Sequence, residues 1–175
     1  MTTHALYDVL HSFRDIHKVV LNLTDDLNDE QLNWKPEGYS TSIGFHLWHL
    51  ARESDYLKAA ILHHYPGFIP EFGDGKEIWE KESLAQKWGF PEGLHQTVGT
   101  GLSDDVAVTL PIPEKDELLG YLRSSYDAIE CFVEQLDAKA VWLRQIDCDW
   151  DAHAGRQGRG CVDLGVVGGQ GDQTG

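Results

Sequence analysis

Between Leu118 and Leu136 the sequence sets Leu118, Leu119, Leu122, Tyr126, Ile129, Phe132, Val133 and Leu136 at steps of three and four residues. An α-helix turns about 100° per residue, so this spacing gathers all of them into one stripe about five turns long. A stripe of that width has to be covered. Each large side chain it buries is worth about 1.5–3 kcal/mol, so three such stripes provide most of the driving force for a helical bundle.

Two further stretches supply the other stripes. Leu6, Leu10, Phe13, His17, Val20 and Leu27 predict a helix from about Thr3 to Thr24, with Thr3 as its N-cap. His11 and His17 read as ordinary flank residues of that helix. Asn28-Asp29-Glu30-Gln31-Leu32 reads as a short capped turn, and Lys35-Pro36-Glu37-Gly38 breaks the chain. Ser40, Thr41 and Ser42 then offer N-caps for a second long helix over 42–64, ended by Pro66-Gly67. Its C-terminal His63-His64 pair sits where the helix dipole favours a cation. Adjacent positions point about 100° apart, so these two do not chelate one ion. Residues 66–113 form a connection too long to lack structure of its own. Lys76 to Trp88 predicts a short helix with Ile78, Trp79, Leu84 and Trp88 on its apolar side, and Val106–Leu110 predicts an extended segment. The third long helix is expected over 116–138, with Asp116 as N-cap. Cys131 within it reads as a small core residue.

The pattern stops near residue 155. Eight glycines fall among the last 21 residues, and each costs about 1 kcal/mol against alanine in a helix. The organisation is therefore a helical domain over 1–154 and a Gly-rich tail, flexible by composition, over 155–175. The tail holds neither a Gly-x-Gly-x-x-Gly nor a Gly-Lys-Ser/Thr phosphate loop.

The 175-residue chain carries a formal charge of -15, with 41% apolar residues. Basic stripes are absent, which argues against nucleic acid and against an anionic membrane surface as partners. The start of the chain lacks the features of a signal peptide, and no run of 18 apolar residues exists, so a cytoplasmic location is expected. Cys131, Cys148 and Cys161 are too few and too far apart for a disulfide framework or a Cys-x-x-Cys metal knuckle.

The richest chemistry lies in Ser42-Ile43-Gly44-Phe45-His46-Leu47-Trp48-His49-Leu50-Ala51-Arg52-Glu53. With Ile43 as the zero direction, Leu47, Leu50, Leu57 and Ile61 fall within about 40° and predict the core face. His46, Glu53 and His49 fall about 60°, 80° and 120° to one side of it. Ligand-type side chains at the shoulder of a core stripe reach the gap between neighbouring helices, where bundles build metal sites. Two nitrogens do not close such a site, since a zinc-type centre takes three protein ligands for catalysis and four for structure. Glu53, one turn beyond His49, is a candidate acceptor for its second ring nitrogen.

The order of these segments resembles the DinB-like (YfiT-like) four-helix bundle family. The resemblance rests on Leu27-Asn28-Asp29-Glu30-Gln31-Leu32-Asn33-Trp34, on Ser42 to Ala51, and on Leu110-Pro111-Ile112-Pro113 leading into Glu117-Leu118-Leu119-Gly120-Tyr121-Leu122. It covers about residues 4–150. It implies an all-α, up-and-down helical bundle of three long helices plus a short one, here with the fourth bundle helix incomplete or missing. It implies a divalent metal of the zinc, nickel or iron class held by three histidines, one on the second long helix and two on the fourth, commonly spaced His-x-x-x-His. The first of these maps onto His49. His46 stands at a position often aromatic or His in relatives and is expected to pack beside the site. Characterised members include thiol-dependent transferases and an isomerase that use low-molecular-weight thiols.

The chain departs from the family where the fourth helix belongs. The Gly-rich tail replaces the histidine pair, and His153, the histidine nearest to it, has no partner at i+4. The expected metal set is therefore His49, His46, Glu53 and His153, with weak or absent occupancy. The expected function is a metal-dependent enzyme of the thiol-dependent transferase or hydrolase type acting on a small molecule or low-molecular-weight thiol, with its activity open to loss. The alternative is a non-catalytic helical domain that dimerises or binds a partner protein. Three stripes do not enclose a four-helix core, so a homodimer is expected, with the uncovered groove against its own copy.

Overall fold

The computed structural model describes residues 3–35 and 41–137, so the Gly-rich tail and His153 lie outside the described residues. All regular structure among them is helical. The long helices are α1 (Thr3–Asp25), α3 (Ile43–His64) and α8 (Lys115–Asp137), and the short α2 spans Asp29–Asn33. The connection holds α4 (Ile69–Phe72), α5 (Ile78–Lys81), α6 (Leu84–Lys87) and α7 (Asp104–Ala107), with 3-10 turns at Pro66–Phe68 and Glu92–Leu94.

Local chemistry explains the boundaries. Asn28 and Gln31 form a reciprocal capping box at the start of α2, each side chain bonding the other's backbone N–H at 2.9 Å. Of the three residues offered as caps for α3, Ser42 takes the role, its hydroxyl accepting from the Phe45 N–H. The helix expected over 76–88 divides into two single turns, because Ser83 adopts a left-handed backbone (φ 51°) between them. The segment expected to be extended, Val106–Leu110, instead belongs to the turn of α7 and its exit. The Ala107 N–H bonds back to the Ser103 carbonyl, and the Val108 N–H to that of Asp104.

α8 is the central element. It packs along α3 on one side and α1 on the other, while α1 and α3 barely touch. Its stripe is buried as the spacing requires, from Leu118 and Leu122 at 0% exposure to Val133 at 6%. α1 runs antiparallel to α8, since Arg14 meets Glu130 and Glu134 near one end and Asp25 meets Arg123 near the other. On the other side Gly44 abuts Ile112, and Arg52 and Asp55 reach Tyr121. α3 and α8 therefore run in the same sense, and the alternation of direction breaks between them. A long crossover connection allows that arrangement.

The buried face of α3 differs from the one expected. Gly44, Phe45, Leu47, Trp48, Ala51, Arg52, Asp55 and Leu62 are buried, whereas Ile43, Leu50 and Leu57 are 38–40% exposed. On a helical wheel the buried face is centred about 120° from Ile43. Cys131 is exposed rather than in the core. α1 also keeps an apolar stripe open, with Val9 at 43%, Ile16 at 58%, Val19 at 55% and Leu23 at 71%.

Leu122→Ala should therefore lower unfolding stability by about 2–5 kcal/mol, through lost transfer energy and the cavity left behind. Leu23→Ala should change it by no more than about 0.5 kcal/mol. Urea denaturation followed by circular dichroism checks both.

Candidate functional site

A buried polar cluster fixes the ground on which the site stands. Arg52 is fully buried in the middle of α3. Its Nε donates to the Thr97 carbonyl at 3.1 Å, and its Nη1 donates to Glu77 and, at 3.4 Å, to the Tyr121 hydroxyl. Its guanidinium carbon lies 4.6 Å from the Trp79 ring centre, a cation–π contact. Nη2 has no hydrogen-bond partner among the described residues. One turn on, Asp55 accepts the backbone N–H groups of Ile78 and Trp79, each at 2.9 Å, and the Tyr121 hydroxyl at 3.0 Å. Burial raises the Glu77 carboxyl above its ordinary range despite the opposing pull of Arg52. Burial likewise pushes the Tyr121 hydroxyl upward.

Through Thr97 this cluster sets the loop 97–101 against α3. His49 lies beneath the loop, and its Nδ1 is 2.6 Å from the Val98 carbonyl oxygen. A carbonyl only accepts, so Nδ1 carries a proton, and in the neutral form of the ring the lone pair is on Nε2. That is the state in which imidazole ligates a metal, with its other nitrogen held by an acceptor. Val98, rather than Glu53, supplies that acceptor. Glu53 Oε1 stands 3.9 Å from Nδ1 and accepts the Thr100 hydroxyl at 2.5 Å. The close approach depends on Gly99. A Cβ there would sit 2.9 Å from His49 Nδ1 and 3.0 Å from the Trp48 ring, and the backbone has φ +101°.

His46 is exposed, one turn before His49, with its Nε2 3.2 Å from the Thr41 hydroxyl. His49, Glu53 and Thr100 thus form one group at the edge of the bundle, and His46 stands apart from it. Among the described residues, no three His, Cys, Asp or Glu side chains come together in a way that holds a metal ion. His49 fits the role of one nitrogen ligand, and the remaining ligands of a closed site are not supplied by residues 3–35 and 41–137.

The sequence reading missed Val98 and Gly99 as the groups that orient His49. The Gly-Thr-Gly run at 99–101 was the available signal, since glycine marks places where backbone approaches closely. It also missed His17. This residue is 7% exposed rather than an ordinary flank residue, 2.5 Å from Glu130 and stacked on Tyr126 at a ring separation of 3.5 Å.

Gly99→Ala should displace the Val98 carbonyl from His49. At a pH where the wild-type imidazole is neutral, nitrogen chemical shifts of His49 should report a single tautomer with its proton on Nδ1. The variant should show a mixture of tautomers, with stability lowered by about 1–3 kcal/mol.

None of the described helices is long and apolar enough to cross a membrane. No curated protein matches the sequence. The family model described as the DinB superfamily matches residues 12–156. That span takes in α1 from its third turn onward, α3 with His49 and the loop that orients it, and all of α8, and it places the chain in the DinB superfamily.

Proposed function

We propose that this chain is a metal-dependent enzyme domain of the thiol-dependent transferase or hydrolase type, acting on a small molecule or a low-molecular-weight thiol. The observation that carries the reading is the Val98 carbonyl on His49 Nδ1, which leaves Nε2 as the nitrogen to meet an ion. His49 would hold a divalent ion of the zinc, nickel or iron class. His153 or a histidine of a second copy would complete the set. Bound there, such an ion would lower the pKa of a thiol or water. The protein's own part is orientation and proton handling. The loop 97–101 keeps the imidazole in one tautomer. Glu53, anchored by Thr100, offers a carboxylate on the same flank that can take the proton released by an incoming thiol. His46, exposed one turn before His49, contributes to the surroundings rather than to the ion.

The test is metal content and affinity of the purified full chain with zinc, nickel and iron(II) in turn. Wild type should bind weakly, and His49→Ala should bind at least about tenfold more weakly still. His63→Ala and His11→Ala should behave as wild type. Equal affinity in His49→Ala would overturn the assignment.

A second reading, a domain that dimerises through its open side, is favoured by the exposed apolar stripe of Ile16, Val19 and Leu23 on α1. In this reading the stripe meets its own copy in a symmetric contact. Light scattering should give twice the 19.7 kDa chain mass, and Ile16→Glu with Leu23→Glu should give the monomer.

A further inference from the structure

Away from His49, α1 and α8 enclose a crevice of about 340 Å³, at the small end of the range for ligand pockets. Its floor holds two nearly buried polar side chains with unused bonding capacity. Tyr126 is 3% exposed, and its hydroxyl, which burial pushes up to about 12, has no hydrogen-bond partner among the described residues. His17 is committed through Nδ1 to Glu130, and its Nε2 has no partner among them either. Both side chains line the crevice, so these two polar atoms are available to a ligand that enters it.

Among the described residues, the walls carry one charge of each sign that forms no ion pair. Arg14 is held by Glu130 and Glu134, and Arg123 faces Asp25 at 3.6 Å. Lys18 on α1 and Asp127 on α8 both line the crevice, yet neither forms an ion pair among the described residues. Leu21 and the Tyr126 ring supply an apolar wall. A pure anion would meet Asp127 and Glu130, and a pure cation would meet Lys18 and Arg123. A molecule carrying both charges meets complementary groups on both helices.

We propose that this crevice binds a small zwitterion with one carboxylate and one ammonium group, of which a free α-amino acid with an apolar side chain is the simplest case. The carboxylate lies towards Lys18 and the Tyr126 hydroxyl, the ammonium towards Asp127, and the side chain against Leu21. The site is independent of the proposed metal centre.

The full chain, labelled for amide NMR, is titrated with L-leucine, with N-acetyl-leucine, which keeps only the carboxylate, and with leucinamide, which keeps only the ammonium. Leucine should shift resonances of α1 and α8 saturably, and each half-charged analogue should bind at least about tenfold more weakly. Tyr126→Phe keeps the ring and the fold and should weaken leucine binding about fivefold, the value of one hydrogen bond. Lys18→Gln and Asp127→Asn, both at the surface, should each weaken it comparably. His49→Ala should leave it unchanged, which separates this site from the metal reading. Absence of a saturable shift with leucine, equal affinity for N-acetyl-leucine, or unaltered binding in all three crevice variants would overturn the proposal.

Discussion

The buried guanidinium of Arg52 is the constraint on which the arrangement around α3 depends. Taking a charge out of water costs several kcal/mol unless partners replace the lost hydration. The partners come from distant parts of the chain: Glu77 at the entry to α5, the Thr97 carbonyl in the loop before α7, and Tyr121 on α8. Asp55 adds the backbone of Ile78 and Trp79. The connection between α3 and α8 contains only single turns of helix, which cannot hold themselves in water. It is ordered because the polar centre of the bundle requires two of its segments. Around that centre Trp48, Trp79, Phe90 and Tyr121 pack at ring separations of 5.1–6.2 Å, so the connection also delivers a large share of the apolar core.

His49 inherits its chemistry from this arrangement. Arg52 lies three residues further along α3 and bonds the Thr97 carbonyl. The next carbonyl in the chain, that of Val98, bonds His49. Two consecutive peptide groups are thus pinned on one helix face, and the second fixes the protonation site of the imidazole. Gly99 follows because no side chain fits between the loop and the ring. Loss of the Arg52 cluster would therefore reach His49 without any change to the histidine itself.

These dependencies also explain what could be read from the sequence. The stripe of α8 was legible, because its large apolar residues recur at an unbroken period, whereas buried Ser125 and exposed Cys131 were not. The caps at Asn28 and Ser42 were legible because capping is local chemistry. The buried face of α3 was not. Arg52 and Asp55 belong inside only because Glu77, Thr97, Tyr121 and two backbone amides meet them, and no local pattern announces partners 23 to 69 residues away. Counting only Ile and Leu turned the wheel towards Ile43, Leu50 and Leu57, the half-open side. His17 failed for the same reason, since its burial depends on Glu130, 113 residues on. For His49 the sequence yielded the residue but not its orientation, which rests on a carbonyl 49 residues away.

α1 shows how far a helix can depart from a simple inside and outside. Its face towards α8 holds Leu10 but also His17 and Thr24, all buried. One position before each, Val9, Ile16 and Leu23 are exposed. A surface helix with a single neighbour would show the reverse, with apolar residues inside and polar ones outside. The buried polar residues are accounted for within the bundle, His17 by Glu130 and Thr24 by its own helix through the Val20 and Leu21 carbonyls. The apolar stripe has no such account on the α8 side. A helix that keeps a second apolar stripe at seven-residue spacing is shaped for two neighbours rather than one. α8 is the first, and the seven-residue stripe is the surface on which a second would pack.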